Sequence, residues 1–186
     1  MVGEIRKRRA GQLARNRAWS VRVSGTYVIR PPKVDDAPRM WELVNRSENL
    51  DSNSLYSYFM WCRDFSSTSA VAERADGEVI GFITAYCRPE SPEVLFAWQT
   101  ATDLTDSRPG LPGAMLRTLL QRGVGKGVTH LETTVNPGNR PVIMMLEKCA
   151  ASLGAPVERC ILFDSSQFPD DHPSEVLYRI GPVRNL

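Results

Sequence analysis

The sequence predicts an α/β fold, with a mixed central β-sheet flanked by helices on both faces. Three observations carry this expectation. The apolar runs and helical periodicities follow the order β-α-α-β-β-β-α-β-α-β-β, which is not the unbroken βαβ repeat of an all-parallel sheet. Asp76-Gly77 sits between two strand-like runs and is a strong hairpin pair, so part of the sheet is antiparallel. The stretch from Val94 to Leu116 reads as a buried strand, a turn punctuated by Gly and Pro, and then a helix.

The elements follow in order. Thr26 to Arg30 is the first strand, ended by Pro31-Pro32, and Asp35-Asp36 opens a helix that runs to about Asn45. A second helix is expected from Leu50 to Phe65, with Tyr56, Phe59, Met60 and Cys62 among its larger residues. Strands from Thr68 to Arg74 and from Glu78 to Arg88 flank the Asp76-Gly77 turn, and a further strand spans Val94 to Asp103. A helix from Leu111 to about Gly123, a strand from Val128 to Val135 and a helix from Asn139 to Leu153 come next. Arg159 to Phe163 and Glu175 to Ile180 read as closing strands.

A chain of 186 residues suits one domain with a full core. Residues 1–22 carry seven basic side chains against Glu4 alone, so the rest of the chain is mildly acidic. Residues 1–24 are therefore expected as a flexible basic tail, dispensable for folding because its composition cannot bury a core, and residues 25–186 as the domain. The acidic body argues against nucleic acid as a partner. No run of ~20 apolar residues suggests a membrane span, and no apolar stretch follows the basic start as in a secretory leader. Cys62, Cys87, Cys149 and Cys160 show no C-x-x-C pairing, and His130 and His172 are far apart. Neither a metal site nor a disulfide framework is expected, and a cytoplasmic location follows.

The turn after the Val94 strand carries the most chemistry. In Ser107-Arg-Pro-Gly110-Leu-Pro-Gly113 the N–H groups of a tight turn and a helix start lie beside a strand end, a ready site for phosphate. Without a Gly-Lys-Ser/Thr ending it is not a P-loop. It suits a pyrophosphate-bearing carrier such as coenzyme A; taken alone, the segment is equally consistent with a connection that binds nothing. The pyrophosphate is expected over Arg108, Gly110, Leu111 and Gly113, and the pantetheine along Thr100, Ala101 and Thr102. Asn139, opening the next helix, is expected to face the pantetheine or thiol end.

The element order with a ligand turn between fourth strand and third helix resembles the GNAT acetyltransferase superfamily. Leu50-Asp51-Ser-Asn53-Ser54-Leu-Tyr56-Ser-Tyr58, Phe96-Ala-Trp98-Gln99, Leu131-Glu132-Thr133-Thr134-Val135-Asn136-Pro137 and Leu177-Tyr-Arg179-Ile180-Gly181-Pro182 are similar, as a set, to the L-2,4-diaminobutyrate acetyltransferases of ectoine biosynthesis. The likeness spans roughly residues 26 to 183. It implies transfer of acetyl from acetyl-CoA to the γ-amino group of 2,4-diaminobutyrate, as part of compatible-solute synthesis, by a homodimer without metal. The alternatives are a GNAT enzyme for another small amine, and a catalytically degenerate acyl-CoA-binding or interaction protein.

The chain departs from the family pattern at the pyrophosphate turn. The family's Arg/Gln position falls on Ser107, with Arg108 one step late, and Pro109 and Pro112 each delete a donor. The last helix, Asn139-Arg-Pro-Val-Ile-Met-Met-Leu146-Glu147-Lys-Cys149, lacks the Tyr that the family commonly offers as general acid. A thiol of pKa ~8.5 is a tolerable leaving group without one. Glu132, an acid within an apolar strand, is the candidate base or a salt-bridge partner. Asp51 is a candidate ammonium anchor or a helix N-cap. Tyr56 and Trp98 are candidate pocket walls or core residues. Asp170 and His172 lie in a polar loop that either closes over the substrate or is simply solvated.

Overall fold

The computed structural model describes residues 21–22, 27–47, 50–106 and 108–183. Strands β1 (Val21–Arg22), β2 (Tyr27–Arg30), β3 (Ala70–Arg74), β4 (Val79–Arg88), β5 (Ser91–Thr102), β6 (His130–Val135), β7 (Val157–Phe163) and β8 (Glu175–Ile180) form one sheet, ordered β1-β2-β3-β4-β5-β6-β8-β7. The β5–β6 pair is parallel and every other pair antiparallel, so the sheet is mixed as expected. The Asp76-Gly77 turn joins β3 to β4, with Gly77 at φ +90° and its N–H donating to the Arg74 carbonyl at 2.9 Å. Val21–Arg22, within the segment expected as tail, pairs with Ile29 and Val28 of β2. Residues 1–20 and 23–24 of that tail, and Ser107 of the turn, lie outside the described residues.

Four helices cover the sheet: α1 (Ala37–Asn45), α2 (Leu55–Asp64), α3 (Leu111–Val124) and α4 (Arg140–Leu153). Three of them carry Pro in the first turn, where the missing N–H costs nothing. α2 starts five residues later than expected. Asp51-Ser52-Asn53-Ser54 are small polar residues whose side chains compete for local backbone groups, and the helix begins only after Ser54 in the N-cap position. Asn53 Nδ2 donates to the Asp51 carbonyl at 3.4 Å, one such local bond.

Two cores sit on opposite faces. Met40, Leu43 and Val44 of α1 and Tyr58 and Cys62 of α2 pack on Val71, Phe82 and Ala101. Met115, Leu119 and Leu120 of α3 and Leu146 of α4 pack on Ile80, Ile83, Leu95, Leu131, Tyr178 and Ile180. Each fully buried aliphatic side chain contributes ~1.5–3 kcal/mol, so both helical layers are held mainly by apolar burial. α1 packs on β4 and β5, α2 packs chiefly on α1, and β7, at the far edge, is exposed from Glu158 to Phe163. No helix among the described residues is long and apolar enough to cross a membrane.

Candidate active site

β5 and β6 stay paired only through Val94↔His130, Leu95↔Leu131 and Phe96↔Glu132. Beyond Phe96, β5 continues to Thr102 and β6 to Val135 without registered pairs. A β-bulge accompanies the parting: consecutive β4 residues Thr84 and Ala85 oppose Gln99 and Ala97, which leaves Trp98 as the extra residue. A bulge bends its strand and raises the local twist. The edge of β5 that would have met β6 is left with unpaired N–H and C=O groups.

The helices that follow these two strand ends, α3 and α4, wall a cavity of about 1060 Å³ behind the gap. Thr100 and Thr102 of β5, Thr133 of β6, Gly113, Arg117 and Gln121 of α3, and Arg140, Leu146, Lys148 and Cys149 of α4 line it. Gly110 takes φ +85° at the N-cap of α3, a conformation that favours glycine. The Leu111 N–H is spent on the Arg108 carbonyl at 3.1 Å and the Ala114 N–H on Gly110 at 2.9 Å, and Pro112 has none. That leaves the N–H of Gly113 as the first-turn donor at the cavity wall. Arg117, Arg140 and Lys148 line the same cavity without ion pairs among the described residues, and three such cations could hold a polyphosphate ligand. Arg108 is otherwise engaged: its Nε donates to Asp106 at 2.5 Å and its guanidinium lies 5.6 Å from the Tyr27 ring centre.

On the opposite face a row of registered neighbours crosses the sheet: Tyr86, Phe96, Glu132, Arg179 and Glu158. Glu132, 2 % exposed, accepts from Arg88 Nη1 at 3.3 Å and from Arg179 Nη1 at 3.0 Å. Beside this row runs a band of aromatic rings. Trp61 stacks on Trp98 at 5.2 Å, Trp61 meets Phe65 at 4.7 Å, and Tyr86 meets Phe96 at 5.5 Å. Below them, the buried Tyr58 hydroxyl donates to Gln99 Oε1 at 2.8 Å, and Gln99 Nε2 donates to the Asp51 carbonyl at 3.1 Å. Burial raises the Tyr58 pKa, outweighing its bonds to Asn53 and Gln99, so the phenol keeps its proton and fixes which way the Gln99 amide points. Burial likewise raises Cys149, against the opposing charge of Arg117, so the cavity presents a thiol there rather than a thiolate.

The Acetyltransferase (GNAT) family model matches residues 36–151. The L-2,4-diaminobutyric acid acetyltransferase of Nocardia farcinica is 44 % identical over 159 residues, covering 86 % of this chain and 82 % of that protein. Its counterpart from Streptomyces avermitilis is 47 % identical over 157 residues, covering 83 % and 88 %. The chain belongs to the GNAT acetyltransferases, within the diaminobutyrate acetyltransferase family. Among solved structures, the diaminobutyrate acetyltransferase of Paenibacillus lautus, in complex with L-2,4-diaminobutyric acid and coenzyme A, superposes with a TM-score of 0.80 at 36 % identity. That match covers 87 % of this chain and 99 % of the other. Ard1 of Thermoplasma volcanium, at 17 % identity and a TM-score of 0.68, shares the fold alone.

Within this GNAT frame the expected residues divide. Thr100, Thr102, Gly110 and Gly113 line the cavity. Ala101 turns to the opposite core, and Leu111, 1 % exposed, is a core side chain, so either could meet a ligand only through its backbone. The Asn139 side chain accepts from the Val142 N–H at 3.4 Å and caps α4. Asp51 is exposed, and its backbone carbonyl is tied to Gln99, the residue after the 40 % exposed Trp98; Ser54, not Asp51, holds the N-cap position. Tyr56 is 70 % exposed, and the inward tyrosine is Tyr58, two residues on. His172 stacks on Phe168 at 4.2 Å and lies 3.8 Å from Glu175, while Asp170 is exposed in the same loop. That loop leads into β8, and Val176 is registered with Val135, so it lies at the sheet end where β6 finishes. Arg117, Arg140, Lys148, Arg88, Arg179 and Gln99 were not singled out from sequence. Among the described residues no cluster of three or more His, Cys, Asp or Glu could hold a metal.

Proposed function

We propose that the chain transfers acetyl from acetyl-CoA to the γ-amino group of L-2,4-diaminobutyrate, releasing CoA and N4-acetyl-L-2,4-diaminobutyrate. One observation carries the reading: the gap between β5 and β6 opens on one face to a cation-walled cavity and on the other to an aromatic, charge-bearing surface. The printed substrates of the relatives agree with it.

The phosphates of acetyl-CoA lie against Arg117, Arg140, Lys148 and the Gly113 N–H, and the pantetheine follows the unpaired edge of β5 along Thr100 to Thr102. Its thioester then reaches the gap, where the amine arrives from the other face. The amine must shed its proton before its lone pair can attack. The C–N bond forms and the carbonyl oxygen becomes an oxyanion facing a β5 N–H; as it collapses, the C–S bond breaks to release the thiolate and the nitrogen gives its extra proton to that thiolate or to water. Leu146 lines the cavity on the helix where the resemblance leads one to look for a Tyr, so the thiolate leaves without a protein acid. Glu132, with both oxygens engaged by guanidinium groups, is better suited to anchoring charge than to taking the amine proton. Asp51 holds an ammonium of the substrate, Trp98 bounds its chain, and the loop with Asp170 and His172 closes the amino-acid end.

The enzyme works in the cytosol, which suits its four unpaired cysteines. It pairs with a second copy through the β7 edge. Ile161, Leu162 and Phe163 are 60 %, 39 % and 47 % exposed there, an unpaired strand edge of the kind that recruits another strand.

A thiol-release assay tests the reaction. With saturating acetyl-CoA, L-2,4-diaminobutyrate is expected to give the highest kcat/KM among L-2,4-diaminobutyrate, L-ornithine, L-lysine and 1,3-diaminopropane. Equal turnover across that panel, or thiol release independent of any amine, would contradict it.

A further inference from the structure

We infer that Arg88 and Arg179 form the subsite for the α-carboxylate of the acceptor, with Glu132 as the buried anchor that sets the two guanidinium groups side by side. The inference rests on the acceptor face proposed above and adds what selects an amino acid over a plain diamine.

The geometry is that of a held pair. The Glu132 side chain is 3 % exposed, with Oε1 on Arg179 and Oε2 on Arg88. Each arginine spends a single nitrogen on this contact and makes no other side-chain hydrogen bond among the described residues. Their side chains are 33 % and 44 % exposed, so the remaining N–H donors stay open to solvent. One guanidinium would satisfy a buried carboxylate; the second leaves the trio with a net positive charge and a planar fork suited to a carboxylate.

Position makes the pair a specificity device. Glu132 is registered with Phe96, the last pair before β5 and β6 part, and the bulged Trp98 lies two residues further along β5. Two residues of strand span roughly 6.6 Å. The extended chain of 2,4-diaminobutyrate spans about 5 Å from its carboxyl carbon to the γ-nitrogen at ordinary bond lengths. A carboxylate on the arginines therefore sets the γ-nitrogen near the gap. The α-nitrogen, one bond from the carboxyl carbon's neighbour, stays well short of it.

The test compares L-2,4-diaminobutyrate with 1,3-diaminopropane, the same chain without the carboxylate, in the wild type and in Arg179→Gln. The wild-type preference for diaminobutyrate in kcat/KM is expected to fall tenfold or more, mostly through KM, with the acetyl-CoA KM unmoved. Arg179→Lys, which keeps the charge against Glu132 but not the fork, is expected to lose at least threefold, and it stands in should the Gln variant fold poorly. An unchanged preference ratio in a folded variant would overturn the subsite. Calorimetric titration of both amines in the presence of CoA gives the same comparison without turnover. Arg179-dependent binding of diaminobutyrate in a wild type that releases no thiol would uphold the subsite and contradict the reaction, whereas turnover with Arg179-independent binding would do the reverse.

Discussion

Asp51→Asn is expected to lower kcat/KM for L-2,4-diaminobutyrate at least tenfold while leaving both the melting temperature and the acetyl-CoA KM unchanged. The carboxylate of Asp51 is exposed and makes no ion pair among the described residues, so nothing in the fold consumes its charge. Its backbone, by contrast, is fixed. Gln99 Nε2 holds the Asp51 carbonyl, and the buried Tyr58 hydroxyl holds Gln99, so the loop before α2 is pinned beside Trp98 at the mouth of the gap. Removing one partner of a buried charge pair costs ~3–5 kcal/mol. A site as open as this one loses less, and tenfold corresponds to ~1.4 kcal/mol. Because Ser54 rather than Asp51 holds the N-cap position of α2, the substitution removes no cap. A lowered melting temperature with intact kinetics would make Asp51 a structural residue and remove it from the substrate site.

Gly181→Ala is expected to destabilise the domain by ~3 kcal/mol. Gly181 has φ +149°, and a Cβ there would lie 2.5 Å from His130 Cδ2 and 2.8 Å from the Thr129 carbonyl oxygen. That oxygen cannot yield, because it accepts the Val183 N–H at 2.7 Å, while the Gly181 N–H is committed to Pro156 at 3.1 Å. Overpacking typically costs ~1–3 kcal/mol and a strained backbone a further ~1–3 kcal/mol. For a chain of this size the melting temperature should fall by about 6–12 °C, at ~2–4 °C per kcal/mol. Thermal unfolding followed by circular dichroism measures it. A fall of under ~2 °C would mean that the corner joining the start of β6 to the end of β8 relaxes freely.

Local signals made most of the architecture legible. The Asp76-Gly77 turn, Asp35-Asp36 ahead of α1 and Asn139 ahead of α4 each act over a few residues, and each is where the sequence places it. The two-residue β1 was missed because nothing distinguishes Val21–Arg22 from the basic tail around it. The error at α2 is also local. The polar run Asp51-Ser52-Asn53-Ser54 was read as part of its first turns, whereas the helix begins only at Leu55.

The site was legible only where a residue type betrayed its task. Glu132 stood out as an acid in an apolar strand, but its partners lie 44 and 47 positions away: Arg88 reaches it from β4, on the far side of β5, and Arg179 from β8, which enters the sheet between β6 and β7. The parting of β5 from β6 depends on a bulge whose register involves two strands, so no single segment announces it. Arg117, Arg140 and Lys148 read as ordinary surface charges until α3 and α4 are placed on either side of one cavity. In the proposed reading, that arrangement offsets the donors that Pro109 and Pro112 remove from the turn.

The position of the new amide bond tests the central claim most directly. The enzyme is incubated with acetyl-CoA labelled with carbon-13 at the carbonyl and with L-2,4-diaminobutyrate, and the product is followed by two-dimensional NMR. The account predicts a single labelled amide on the γ-nitrogen, formed in step with thiol release. Acetylation of the α-nitrogen, a mixture of both amides, or labelled acetate alone would contradict it.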